Sequence, residues 1–456
     1  MALVGLAWTA PLSATAQAGA SWQQFQGDAA HSGVPEGQPP EPPFRRVWRF
    51  EAGNDERSVS APVVAEGVVA VAGRKAVYGA DIATGTQAWE IPRNGGSVRL
   101  APALATSGGK SVLMFGEGTK RKEEAKSKNA RVRAYDLATQ AHLWDATLDD
   151  LPTGGITIDG DRAYVTDRSG TLYAVDVSTG DIVWRKPIHG VLTAPPAAAS
   201  GKVYFIARNR ASGVARLVAR EESSGKEAWE FSPSQPLAFG SSPTVTDRSV
   251  FVGLADRTVV ALGPSDGNQQ WSVRVPSATS LFAGVAPVDG DLVLAGTIPL
   301  NTAAGLYRLD GATGKRAWWF QFSAPSLGSS PVVLGGAVLL GLDDGQLAAV
   351  DDRTGEEIWE IATGPGRLGA IAAAGETVVV AKAGARAGII GFRHDPDGQL
   401  ERLVSPTVLN LPRALANYGV ALGAVGVMAL GLGRLATVLR RRRGESPPPA
   451  DEEVAE

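Results

Sequence analysis

Cysteine is absent from all 456 residues. Disulfide bridges, thiolate metal sites and a cysteine-borne lipid anchor are therefore excluded. Histidine is scarce: His31, His142, His189 and His394 are scattered, with no two at the spacing of a metal-binding pair, and each reads as a surface or turn residue. A phosphate-cradling glycine loop and a calcium loop of alternating acids are both missing. The formal net charge is only -3, which speaks against a nucleic-acid surface. These absences leave no catalytic residue, cofactor or metal ligand to nominate, and the chain is expected not to be an enzyme.

What the chain has instead is tryptophan at regular intervals. Trp89, Trp144, Trp184, Trp229, Trp271, Trp318 and Trp359 each close one phrase, in which an apolar stretch leads to an acid, a Thr/Ser-Gly turn and then tryptophan. The phrase runs from Asp81 through Gly85 to Trp89, from Asp176 through Gly180 to Trp184, from Asp310 through Gly314 to Trp318, and from Asp351 through Gly355 to Trp359. Asp136 stands eight residues before Trp144, and Gly225 and Gly267 precede Trp229 and Trp271. From Trp48, in the strand-like Val47-Trp48-Arg49-Phe50, to Trp359 is 311 residues, a mean spacing of about 44. That period is the length of a four-stranded propeller blade and exceeds that of a leucine-rich repeat.

Each unit is built of short runs. Ser249 to Gly253, Thr258 to Leu262 and Gln270 to Val273 are β-rich segments separated by Asp, Gly, Asn and Pro, too brief for helices. Small pairs before proline, Ser60-Ala61-Pro62, Thr193-Ala194-Pro195, Ser241-Ser242-Pro243 and Ser329-Ser330-Pro331, open several units and suit a crowded innermost strand. The glycine before each tryptophan supplies a positive φ for a tight turn. Gln140 takes that place in the second unit, which predicts a different or strained turn there. Buried indole rings would pack one blade on the next, each N–H needing an acceptor.

These residues resemble the tryptophan-docking motif of PQQ-like (pyrroloquinoline-quinone-type, quinoprotein-like) β-propeller repeats, over residues 44–405. The resemblance implies an all-β, eight-bladed propeller of four-stranded antiparallel blades, with seven blades as the alternative. Trp22 to Asp28 with His31-Ser32-Gly33 is similar to the lead-in such domains carry. Glu221 and Gly263 replace the aspartate in two units, and after Gly391 to His394 the last unit offers Asp397-Gly398 and Arg402 where tryptophan is due. A degenerate last unit fits a ring closed by the 47–50 strand.

Both ends carry appendages. Residues 1–18 read as a secretory signal lacking its basic n-region, and 19–43 as the lead-in. After a linker at 406–413, the uncharged run 414–433 opens a transmembrane helix reaching 439. Arg440 to Arg443 then place the basic, acidic and Pro-rich tail 440–456 in the cytoplasm, with the propeller outside. Gly419 and Gly423 have the spacing of a close helix pair, although glycine is common in membrane helices.

One insertion stands out, because the Trp89 to Trp144 interval is 55 residues against 41 for its predecessor. Lys120, Arg121, Lys122, Lys126 and Lys128 lie in it, forming a polar loop or long hairpin that either contacts a partner or is simply solvated. The acids of the repeat recur once per blade and so serve the blade.

Three functions stand. One is a membrane-tethered scaffold for protein partners in the cell envelope, like the BamB-like branch of the family; that branch is anchored through a cysteine this chain lacks. Another is a PQQ-dependent oxidoreductase, disfavoured by the missing cysteine pair and lean loops. The third is a ligand-binding sensor.

Overall fold

The computed structural model describes residues 21–396, apart from 36–38, 94–99, 120–127, 191, 193, 210, 236, 238–241, 276–279, 298–302 and 327. The expected signal segment, linker, transmembrane helix, Gly419/Gly423 pair and tail lie outside the described residues, as do Asp397-Gly398 and Arg402.

Among the described residues, thirty-two strands form eight sheets of four, every neighbouring pair antiparallel. Seven blades are simple meanders in chain order, spanning 63–92, 103–147, 152–187, 197–231, 244–274, 280–321 and 332–362. The eighth combines 368–394 with the early strand Phe44–Glu51, which pairs with Gly388–His394. The 47–50 strand is thus the outer strand of the last blade, which is locked by a strand from the other end of the chain. Closure of this kind removes a sheet edge that would otherwise open the ring.

Burial follows blade position. The second strand of the first blade, Val68–Ala72, is buried at every residue, because it lies deep in a sheet covered by blades on both faces. The outer strand His142–Thr147 instead alternates, hiding Trp144 and Ala146 and exposing their neighbours. Strands such as Val63–Ala65, Ala197–Ala199 and Val332–Leu334 directly follow the small-residue and proline openings, and first strands of successive blades touch around the axis. Small side chains fit there because eight strands converge on a narrow space.

Candidate functional site

The seams between blades are where the repeated phrase acts. Each tryptophan lies opposite a residue of the third strand of its own blade, and that residue is small in most blades: Ala174 faces Trp184, Ala219 faces Trp229 and Ala349 faces Trp359. A bulge follows at once in each pair, turning the ring toward the next blade. There the indole lies on the turn glycine. A Cβ placed on Gly180 would meet Trp144 at 2.6 Å, and one on Gly355 would meet Trp318 at 2.7 Å.

The same turn supplies the hydrogen-bond acceptor. Trp48 Nε1 donates to Ile82 O, Trp144 to Val177 O, Trp184 to Glu222 O, Trp229 to Pro264 O, Trp271 to Gly311 O and Trp318 to Asp352 O, all at 2.7–3.0 Å. The acceptor is always the residue after the acid position, so one turn offers both floor and acceptor. The acid holds that turn. Asp176 accepts from Ser178 N and Thr179 N, and Asp310 from Ala312 N and Thr313 N. The Ser178 hydroxyl holds the Asp176 carboxyl below its usual range, and the Thr313 hydroxyl does the same for Asp310. In the fifth blade, where Gly263 replaces the acid, Asp266 bonds Asn268 N and Gly267 N still reaches Gly263 O.

Gln140 adopts φ +56 and closes the same turn, its N–H donating to Asp136 O. The turn is therefore the usual one, held by a residue that is strained in that conformation. Its side chain donates to Leu137 O and Ala138 O. Trp89, whose indole belongs over this turn, has a buried Nε1 with no hydrogen-bond partner.

The lead-in is not a peripheral arm. Trp22 bridges Val64, and Leu104 N donates to Gln23 O. Gln24 pairs with both backbone groups of Ile158, while Ala29 O, Ala30 O and Gly33 O accept from Ala198, Val245 and Val333. Gln26 lies against Gly284. Residues 22–33 thus bond or abut the first strands of seven successive blades and form a hub on the axis.

His31 belongs to this hub, which corrects the expectation of a surface or turn role: it is fully buried. Its Nδ1 faces Pro243 O at 3.2 Å and Ser242 Oγ at 2.7 Å. A carbonyl can only accept, so Nδ1 carries the proton; burial keeps the ring neutral, depressing it to about 4. The other three are peripheral. His142 is exposed beside Asp145, His189 is an exposed residue at φ +50, and His394 Nδ1 meets Glu41 O.

Beside the hub opens a cavity of about 560 Å³, walled by Asp28, Gln23 and Gln24 from the lead-in and by Thr106, Asp159 and Ser200 from blades two to four. Burial pushes the Asp28 carboxyl up, against the lowering effect of its bonds to Ser32. Among the described residues no three His, Asp or Glu side chains converge where a metal ion would sit.

The insertion extends a hairpin. Lys110–Thr119 pairs with Lys128–Asp136, with Thr119 opposite Lys128. The fully buried Glu117 carboxylate, held by Arg131, anchors its base. Lys120, Arg121, Lys122 and Lys126 lie outside the described residues, and Lys128 is placed only as the start of its strand.

With this geometry established, comparison with known proteins places the chain. The profile of the outer membrane protein assembly factor BamB family matches residues 45–121, 128–280, 191–304 and 274–399. Such a factor from Burkholderia pseudomallei is 27% identical over 214 residues, which is 44% of this chain and 53% of that protein. One from Bordetella pertussis is 26% identical, covering 60% of this chain and 71% of that protein. A polyvinylalcohol dehydrogenase from Sphingopyxis is 24% identical over 71% of this chain and 63% of its own length. The match thus spans about half the length of the first of these relatives. In fold, BamB from Moraxella catarrhalis superposes with a TM-score of 0.57 at 16% identity, covering 77% of this chain and 100% of that one. A europium-containing methanol dehydrogenase gives 0.62 at 14% identity, covering 82% and 98%. With one profile running along nearly the whole ring, the chain belongs to the outer membrane protein assembly factor BamB family.

Proposed function

We propose that this chain is a membrane-tethered, extracytoplasmic propeller that serves as a protein-binding scaffold in the cell envelope. The observation that carries the reading is the family profile matched around nearly the whole ring. The architecture supports it: turns, rims and the long second-blade hairpin radiate from a core whose conserved-by-repeat residues are spent on docking blades. The uncharged run 414–433 and the arginines after it support the tether, with the C-terminus in the cytoplasm. Lys120, Arg121, Lys122, Lys126 and Lys128 offer one contact surface for an acidic partner region.

Proximity labelling from the full chain in intact cells tests this. The same experiment is repeated without residues 120–127, a deletion that spares Glu117 and the paired part of the hairpin. A defined set of envelope proteins, reduced by the deletion, is the expected result. Labelling indistinguishable from a secreted control would remove the scaffold reading, and labelling unaffected by the deletion would remove the hairpin from it.

A second reading, a quinone-dependent oxidoreductase, draws on the similarity to the polyvinylalcohol dehydrogenase. Its test is the quinone absorbance of the purified chain after incubation with pyrroloquinoline quinone and calcium. Retained absorbance after gel filtration would favour the enzyme over the scaffold.

A further inference from the structure

The lead-in joins the ring at the wall of the hub-side cavity. Ser21 lines that cavity together with Gln23 and Asp28 of the lead-in and Asp159 of the third blade. Trp22 pairs with Val64 through both backbone groups, which fixes the point of entry. Two residues of extended chain reach at most about 7 Å. Position 19 therefore stands no farther from Ser21 than the width of a cavity of about 560 Å³. Gly19 and Ala20 carry a single methyl group between them, so neither would block that space.

The charge of the cavity is one-sided. Asp28 and Asp159 are its ionisable residues, and among the described residues no Lys, Arg or His lines it. The Asp28 carboxyl accepts from the Ser32 N–H at 2.9 Å and from the Ser32 hydroxyl, both neutral donors. Burial outweighs these bonds and pushes the carboxyl up, as expected of an acid without a cationic neighbour.

No side chain of the preceding segment can supply the cation, because residues 1–20 contain no Lys, Arg or His. Cleavage after Ala18 can. It frees the α-amine of Gly19, which is an ammonium below about pH 8 and lies two residues from the cavity wall.

We infer that this cavity receives the chain's own processed N-terminus, with the Gly19 ammonium seated against Asp28 and the Asp159 carboxyl beside it. An uncleaved chain carries a neutral amide at the same place and leaves the cavity without a cation. Removal of the leader thus completes the hub, whose residues 22–33 bond or abut seven blades. The inference rests on residues 1–18 being a cleaved leader and is independent of the scaffold role, the tether and the hairpin.

The test uses the full chain in two forms, one fused to a removable N-terminal partner and the same chain after a protease cut that leaves Gly19 first. The rate at which acetic anhydride modifies the Gly19 amine, followed by mass spectrometry across a pH series, gives its pKa. An ordinary α-amine titrates at about 7.7–8.0, and the docked one is expected above about 9. Asp28→Asn should return it to the ordinary range. Thr106→Lys, at an exposed position on the cavity wall, should lower it as well, by placing a rival cation there without touching the bonds of the hub. The cut should raise the unfolding midpoint of the parent and leave that of Asp28→Asn where it was. An ordinary amine pKa in the cut parent, or equal midpoints before and after the cut, overturns the docking. N-terminal sequencing of the chain isolated from cells is expected to begin at Gly19. Any other start overturns the proposal through the leader, whereas the pKa and the midpoints overturn it through the cavity, so the two failures are told apart.

Discussion

Gln140 Nε2 donates to Leu137 O at 2.8 Å, occupying the carbonyl that corresponds to the tryptophan acceptor at six other seams. Trp89 is left with a buried, unbonded indole N–H. The seam between the first and second blades thus combines a strained turn with a missing hydrogen bond.

Replacing Gln140 with glycine should repair both faults. The φ of +56 becomes unstrained and Leu137 O becomes available to Trp89. We expect stabilisation of about 1–2 kcal/mol, from strain relief and one recovered hydrogen bond. Denaturant unfolding measures it, and a fall in midpoint would show that Gln140 holds the seam instead.

Tryptophan-to-phenylalanine changes should separate the seams. At Trp144 the change strands Val177 O and costs about 1–3 kcal/mol beyond the lost ring area. At Trp89 no hydrogen bond exists to lose. Equal losses at the two positions in thermal or chemical denaturation would contradict the seam geometry.

Turn glycines should divide in the same way. Gly180 has φ +79 and a Cβ there would strike Trp144 at 2.6 Å, so Gly180→Ala combines strain with a clash and should cost roughly 2–4 kcal/mol. Gly160 has φ +56 with open space around it, and its alanine variant should cost about 1 kcal/mol. The comparison of the two unfolding midpoints decides.

The hub should impose a pH dependence. His31 resists protonation when folded, down to about 4, while the unfolded ring titrates near its ordinary 6.5. Between these values the unfolded chain binds the extra proton, so stability is full above about 6.5 and declines as the pH falls toward 4. The loss reaches about 3 kcal/mol at most. In His31→Gln this part of the slope should vanish; an unchanged slope between pH 4 and 6.5 would place the titrating group elsewhere.

The fold was legible because each blade encodes its own docking within about a dozen residues. The acid closes the turn, the turn residue takes positive φ, and the tryptophan arrives at a fixed distance along the chain. Strand closure was legible too, since a last unit without its tryptophan needs an outer strand and Trp48 supplies one. Gln140 marked its own defect by standing where glycine belongs.

The hub was not legible. Gln24 meets Ile158 across 134 residues and His31 meets Pro243 across 212, separations at which no local pattern carries information. The residues alone determined the four-stranded pattern and pointed to the closure of the ring, because periodic local contacts specify periodic structure, while eight blades against seven was settled by the pairing of Phe44–Glu51 with Gly388–His394. Tertiary structure alone decided what gathers on the axis, because only ring closure brings the lead-in against seven blades.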